Sequence, residues 1–212
     1  MIPTELAHAR PFDRALELIG PIVRLQVQVA SLKFGERPAS WYDPGPIRAV
    51  PALRIDDGGV TGLDGGDVPD VHHRDHPQSK FRGENGVSIG FTGHYAAIRD
   101  RYDHLADGMA GENILVEAPG LQDAASVADG VLIVTASGQV VLSAVVPAPP
   151  CVEFSKYCNR YPHDRRADAT IAETVRFLGD GLRGFYAVLG SPVEAAVSVG
   201  DQVYRIRPAS LN

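Results

Sequence analysis

Cys151 is the residue of this chain best placed to do chemistry, and it follows Pro147-Ala148-Pro149-Pro150 directly. Prolines fix the backbone, so the side chain leaves a stiff turn at a defined place. A thiolate held that way is a soft ligand for a transition metal, and the same thiolate could carry a persulfide. The residue alone leaves a third role open, a buried packing thiol. Cys158 lies one short helix further on. In a helix spanning the two, the sulfurs share a face but stand about 10 Å apart along the axis, so they can neither bond nor share a metal. Cys158 therefore reads as packing.

A second concentration of reactive side chains is Asp70, His72, His73 and His76, in an almost wholly polar stretch from Asp67 to Gly86. Four ligands suffice in number for zinc, but no second ligand group stands near them in sequence. Imidazoles in such a loop can instead line a pocket and donate to oxygens of a ligand. For His73 and His76 a solvated loop is an equal alternative. Gly111-Glu112-Asn113 makes a turn whose N–H groups and Asn113 amide could hold the edge of a heterocycle, or a plain glycine turn. Ser88 and Thr92 stand at the start of an expected helix, where N–H groups attract an anion or where Thr92 simply caps. Gly86-Val87-Ser88-Ile89-Gly90 fits the G-x-S-x-G pattern of serine hydrolases. That elbow needs a strand before it, and polar loop stands there, so the serine reads as a strand residue.

The elements that must position these groups are mostly strands. Asp13 to Ile19 reads as a turn or two of helix stopped by Gly20-Pro21. Val23, Leu25, Val27 and Val29 alternate with Arg24, Gln26 and Gln28, the period of a strand with one buried face. Val50 to Ile55 and the segment from Val60 form a hairpin about Asp56-Asp57-Gly58-Gly59. Val87–Phe91 is a short apolar strand. Thr92 opens a helix to about Leu105, with Tyr95, Ile98, Tyr102 and Leu105 on one face. A strand follows Gly111, and Val131–Thr135 pairs with Val140–Val146 across Ala136–Gln139. Thr170-Ile171-Ala172-Glu173 is a capping box for a helix with Ile171, Val175 and Leu178 inward. Phe185–Leu189 and Val203–Ile206 are the last strands, turning at Val199-Gly200-Asp201. The expectation is a mainly β fold with helices (α+β), a barrel with two or three covering helices.

Composition limits the partners. The chain has 212 residues, 44% apolar, and carries 20 basic against 26 acidic side chains for a net charge of -6. No basic run exists to neutralise a nucleic acid backbone, although a local basic pocket for one small anion is compatible with this balance. No apolar stretch reaches the roughly 18 residues that span a bilayer. Met1 to Leu6 shows no secretory pattern, and two cysteines make no disulfide scaffold. The reading is cytoplasmic, with neither nucleic acid nor membrane as partner.

Three stretches resemble one known family. Gly111-Glu112-Asn113-Ile114 is similar to the glycine-Glu-Asn-apolar turn of MOSC domains. Val145-Val146-Pro147-Ala148-Pro149-Pro150-Cys151 resembles their strand followed by Pro-Cys, with cysteine the signature residue. Gly184-Phe185-Tyr186-Ala187-Val188-Leu189 and Val199-Gly200-Asp201-Gln202-Val203 resemble their closing strand and turn. The resemblance implies one MOSC domain over 1–212, a β-barrel with its core at about 23–206. It implies the molybdenum cofactor (molybdopterin), with Cys151 as molybdenum ligand and catalytic residue. Asp70, His72, Asn85, Ser88, Thr92, Gly111, Glu112 and Asn113 would hold or neighbour the pterin. Asp70-Val71-His72 stands where the family carries Gly-Asp-x-His, and Asn85 stands at its basic position, with Arg82 just upstream. The activity implied is reduction of N-hydroxylated small molecules, with electrons from a separate reductase. The alternative implied is a cofactor or sulfur carrier using a Cys151 persulfide; the family is also associated with pyridoxal phosphate.

Overall fold

A computed structural model of the chain describes residues 15–190 and 194–207, so the readings made on Met1 to Leu6 and on Asp13 and Arg14 lie outside the described residues. The first half of the chain holds β1 (Leu16–Gln28), β2 (Lys33–Phe34), β3 (Trp41–Tyr42), β4 (Ile47–Ala49), β5 (Ala52–Asp56), β6 (Gly59–Leu63) and β7 (Asp67–Pro69). Then come β8 (Val87–Phe91), α1 (Thr92–Arg99), β9 (Ile114–Val116), α2 (Ala124–Val127), β10 (Val131–Thr135) and β11 (Gly138–Pro147). The remainder is α3 (Val152–Cys158), α4 (Ala169–Phe177), β12 (Phe185–Leu189), β13 (Ala195–Ser198) and β14 (Gln202–Ile206).

Seven strands close a barrel in the order β1-β14-β10-β11-β12-β8-β9 and back to β1. Neighbours are antiparallel except β8 and β9, which run parallel because α1 crosses between them. Closure removes the open edges that a sheet of this size would otherwise present. Strand β1 makes it possible by serving three partners in turn. Leu16 to Pro21 pairs with β14, Ile22 to Leu25 with β9, and Gln26 to Gln28 with β4. The register shifts between Leu18 and Gly20, where a Cβ on Gly20 would stand 2.1 Å from the Glu117 carbonyl oxygen. Only glycine lets the two backbones approach this closely.

A second sheet, β13-β5-β6-β7, lies against the barrel and shares its core. Leu53, Ile55, Val60 and Val197 from that sheet meet Ile22, Leu25, Ile89, Phe91, Ile133 and Phe185 from the barrel. Each fully buried side chain of this kind contributes roughly 1.5–3 kcal/mol. A separate apolar cluster joins the helices to the barrel's outside: Tyr95, Ile98, Tyr102 and Leu105 pack with Phe154, Leu178, Leu32 and Tyr42.

The expected fold class stands, mainly β with helices; the described residues hold four helices where two or three were expected, and α2 is only four residues long. Several local readings change. Leu16 to Ile19 is strand, not helix, because β14 offers it a ladder. Gln26 and Gln28 are buried beside Leu25 and Val27, while Val23 and Val29 are exposed, so β1 does not present one apolar face. Helix α1 ends at Arg99, and its N-cap is Phe91, without a side-chain cap. Tyr102 and Leu105 still join its buried face from the turns beyond. The cap of α4 is Asp168, whose carboxylate accepts from the N–H groups of Thr170 and Ile171; Glu173 pairs with Arg101 instead.

Candidate functional site

A cavity of about 600 Å³ opens where β1, β8 and β12 meet the start of α3. Its walls come from Gln28, the segment from Ser31 to Tyr42, the loop from His72 to Asn85, Ser88, the turn Ala110-Gly111-Glu112, the Ala148–Glu153 turn, and Arg183 to Tyr186.

Cys151 sits on this wall, half-buried. The four residues before it leave β11 and are tied to β12 by an Ala148 N–H donated to the Gly184 carbonyl at 2.9 Å. Gly184 has φ +108°, and a Cβ there would meet the Ile89 carbonyl oxygen at 2.8 Å, so the turn can lie close on β8 only with glycine. Cys151 is the N-cap of α3, and its Sγ accepts from the Phe154 N–H at 3.4 Å. The sulfur is thus fixed by backbone on both sides, as a metal ligand or a carrier requires.

Five cations line the cavity with it, Lys33, Arg37, Lys80, Arg82 and Arg183, together with the acids Glu112 and Glu153. Arg183 comes deepest. It donates to the Ala110 carbonyl at 3.1 Å and lies over the Phe154 ring, and its Nε has no partner among the described residues. Burial works against its charge, but Cys151, Tyr186, Tyr42 and Glu112 outweigh this and hold the guanidinium protonated beyond its usual range. Lys80 is the reverse case, its pKa lowered by burial and by Lys33 beside it. Glu112 is buried, with Oε2 accepting from the Tyr95 hydroxyl at 2.9 Å and Oε1 unpartnered among the described residues. Burial lifts its pKa above the usual carboxylate range, only partly offset by its own backbone N–H, Tyr95 and Arg183.

Behind this wall lies a polar network that joins several of the residues singled out in the sequence. Asp70 is fully buried. One oxygen accepts from the Gln28 N–H at 2.7 Å and from the Asn113 amide at 2.9 Å. The other accepts from the His72 N–H at 2.8 Å and lies 3.0 Å from His72 Nδ1. Nδ1 of His72 is thus committed to Asp70, while the ring lines the cavity. The Asn113 oxygen takes the N–H and hydroxyl of Ser88, so neither end of its amide is free for a ligand. Asp70 and Asn113 therefore support the wall from behind, contrary to the expectation that Asn113 reaches a ligand itself. Ser88, His72, Gly111 and Glu112 line the cavity.

Asn85 also lines it, but its amide staples its own loop, accepting from the Arg82 N–H and donating to the Lys80 carbonyl. Thr92 is elsewhere: its hydroxyl exchanges hydrogen bonds with the Ala118 backbone, and it does not line the cavity. His73 faces Asp56, and His76 lies 3.3 Å from the Val29 carbonyl, so the three imidazoles point apart. No metal-ligating cluster of three exists among the described residues. Ser88 lies within β8, as the rejected elbow requires it not to. Cys158 is buried among the helices, a packing residue whose thiol burial pushes up to about 12.

Sequence reasoning missed Arg183, Lys33, Arg37 and Lys80. Arg183 had a signal, since it directly precedes the Gly184-Phe185-Tyr186 motif; the others stand singly in loops and gave none. Also missed was the buried polar cluster of Ser40, Glu153 and Lys156. The Ser40 hydroxyl donates to Glu153 Oε1 at 2.9 Å, and Lys156 Nζ donates to the Ser40 carbonyl at 2.7 Å. Burial disfavours the charge of Glu153, yet its own backbone N–H, Ser40 and Lys33 hold it below the usual carboxylate range.

A sequence search of curated proteins finds no match. In structure the chain is similar to the YuaD protein from Bacillus subtilis, with 17% identity and a TM-score of 0.54, covering 92% of this chain and 98% of that one. It is also similar to a crystal structure of a hypothetical protein, with 12% identity and a TM-score of 0.51, covering 90% of this chain and 71% of that one. At these identities the likeness speaks for the fold. The family model described as MOSC domain matches residues 71–204, well over half the chain, and takes in Cys151, Gly111 to Asn113 and the closing strands. With the closed barrel and the cysteine at its cavity, that match means that the chain belongs to the MOSC-domain family.

Proposed function

We propose that this protein binds the molybdenum cofactor in the cavity, with Cys151 as the sulfur ligand, and reduces N-hydroxylated small molecules there. MOSC domains are a molybdenum-cofactor-associated family, and the observation that carries the reading here is the placing of Cys151. Its sulfur is held by a backbone N–H on a stiff turn, at the wall of a cavity lined by five cations. The donor set fits the group. A thiolate is the soft ligand that molybdenum takes, and Lys33, Arg37, Lys80 and Arg82 suit the phosphate of a pterin. The orphaned Arg183 Nε and Glu112 Oε1 are a buried donor and acceptor of the kind that a polar heterocycle satisfies.

When bound, the cofactor supplies two-electron oxygen-atom chemistry. The chain's own residues do the rest. Arg183 keeps positive charge beside the Cys151 sulfur. His72, with Nδ1 directed at Asp70, lines the cavity, and Ser88 and the Gly111 turn shape its floor. Asp70 and Asn113 fix that floor from behind, and Asn85 sets the loop that carries Lys80 and Arg82. We assign the electrons to a separate reductase, because two cysteines and no flavin motif leave this sequence without a redox group of its own to pass them. Among the described residues no helix is long and apolar enough to cross a membrane. The reading puts the protein in the cytoplasm, where both cysteines remain thiols. We take the whole chain as one domain, since β1 completes the barrel from outside the matched 71–204.

The test is elemental analysis for molybdenum on protein from a cofactor-producing host, beside Cys151→Ser. Near-stoichiometric molybdenum that disappears in the variant is expected, followed by turnover of a hydroxylamine with an artificial electron donor. No molybdenum in either sample, from a host that loads a control molybdoenzyme, sinks the reductase and leaves the sulfur carrier. Molybdenum without turnover means a cofactor carrier.

A further inference from the structure

Two of the five cations at the cavity come from a segment with little structure of its own. Residues 31–43 contain only the two-residue strands β2 and β3, paired through Lys33–Tyr42 and Phe34–Trp41. They precede the matched 71–204, yet they bring Lys33, Arg37 and Tyr42 to the cavity. A segment this short holds its shape only through outside anchors.

Those anchors converge on α3. Lys156 is 2% exposed, and its ammonium has two partners, the carbonyls of Ser40 at 2.7 Å and His163 at 3.4 Å. Burying a lysine is costly unless its charge is met, and apolar packing on this helix face would not need one. What the ammonium does is hold residue 40 in place. Glu153, one turn earlier on the same helix, holds the Ser40 hydroxyl. Next to it, Trp41 stacks between Phe34 and His163, with ring centroids 6.0 and 4.6 Å away. Across the cavity mouth, Lys80 donates to the Ser31 hydroxyl. Lys80 and Lys33 thereby stand close enough to repel each other; Glu153 Oε2, 3.9 Å from Lys33 Nζ, meets part of that charge, and an anion between the two walls would meet the rest.

We propose that residues 31–43 are a strap forming one wall of an anion site, and that Lys156 is its positioning residue, acting through Ser40 on Lys33 and Arg37. The ligand class is a phosphoryl group, and its identity as part of a cofactor rests on the reading above. Lys156 touches no ligand; it holds the Ser40 backbone of the segment that brings Lys33 and Arg37 to the cavity.

The test uses the full chain made in a host without pterin synthesis and inorganic pyrophosphate as the probe, followed by calorimetry. Wild type binds, and Lys33→Met/Arg37→Met weakens binding by about tenfold or more, as loss of charge-assisted hydrogen bonds implies. Lys156→Met weakens it about fivefold alone, and less than about twofold when added to the double variant, because it acts through those side chains. An additive effect in the triple variant would reduce Lys156 to a general structural role and overturn the proposal. So would wild-type affinity in Lys156→Met, or no pyrophosphate binding by wild type. If Lys156→Met does not fold, Lys156→Gln takes its place, removing the charge and shortening the reach to the Ser40 carbonyl. It is expected to speed amide exchange within 31–43 alone and to lower affinity, and unchanged exchange overturns the proposal. The molybdenum analysis is independent: pyrophosphate binding through the strap in a protein that takes up no metal would leave the strap standing and the cofactor reading fallen.

Discussion

Cys151 and Cys158 cap and end the same seven-residue helix, and their surroundings give them opposite chemistry. Burial holds the Cys158 thiol at about 12, so at pH 8 only roughly one molecule in ten thousand carries its thiolate. Iodoacetamide on the cofactor-free chain at pH 8 is therefore expected to label Cys151 alone, with Cys158 modified only in denaturant, as read by peptide mass spectrometry. Native labelling of Cys158 would contradict its placement in the helix cluster. Of the residues that matter, Cys151 was legible because prolines and a family signature surround it. The support roles of Asp70 and Asn113 were not. Asp70 meets the backbone of Gln28, 42 positions away, and no local pattern announces a contact made by barrel closure. The cations escaped notice for a related reason: each stands alone in sequence, and only the fold gathers them.

At the scale of elements, strands were easier to read than the residues between them. Val87–Phe91 and the β10–β11 hairpin follow from apolar runs bounded by turn residues, which is enough to set a short strand. Helix ends were read less well, because the Asp168 cap and the Thr170-x-x-Glu173 pattern compete locally and the carboxylate wins. Strand β1 was misread at its start since Gly20-Pro21 looks like a stop. In a strand that must pass from β14 to β9, the same glycine is the crossing point. Gly20→Ala would drive a Cβ against the Glu117 carbonyl, 2.1 Å away with no room on either backbone. A loss of about 2 kcal/mol or more is expected in urea unfolding. A neutral result would mean that β1 can shift its register without losing closure.

For the whole molecule, a surface carrying net -6 encloses a cavity lined by five cations and two acids, so overall charge says little about what the site attracts. Acid should unfold it through one residue in particular. His94 is buried between α1 and the Gln122 backbone, and burial lowers its pKa to about 4 from 6.5. The unfolded chain takes up that proton first. Stability is thus fully present above pH 6.5, falls as pH drops, and about 3 kcal/mol is gone once pH passes 4. Unfolding measured from pH 7 to 4 should show this slope in wild type and lose it in His94→Gln; equal slopes would assign acid sensitivity elsewhere.

The pairing of β1 with β14 also bears on how the protein is made. Leu16 to Pro21 has its β14 ladder partner only at Gln202 to Ile206, far along the chain. On the ribosome, at about 5–20 residues per second, the first strand waits on the order of ten seconds or more with its outer Leu16 and Leu18 and its unpaired backbone uncovered. The cavity forms late as well, because Cys151 and the Arg183 wall follow Gln28 and the strap by more than half of the chain. Any ligand of this site must therefore be loaded only after Tyr186 has emerged, and a chaperone holding the nascent chain would act on β1.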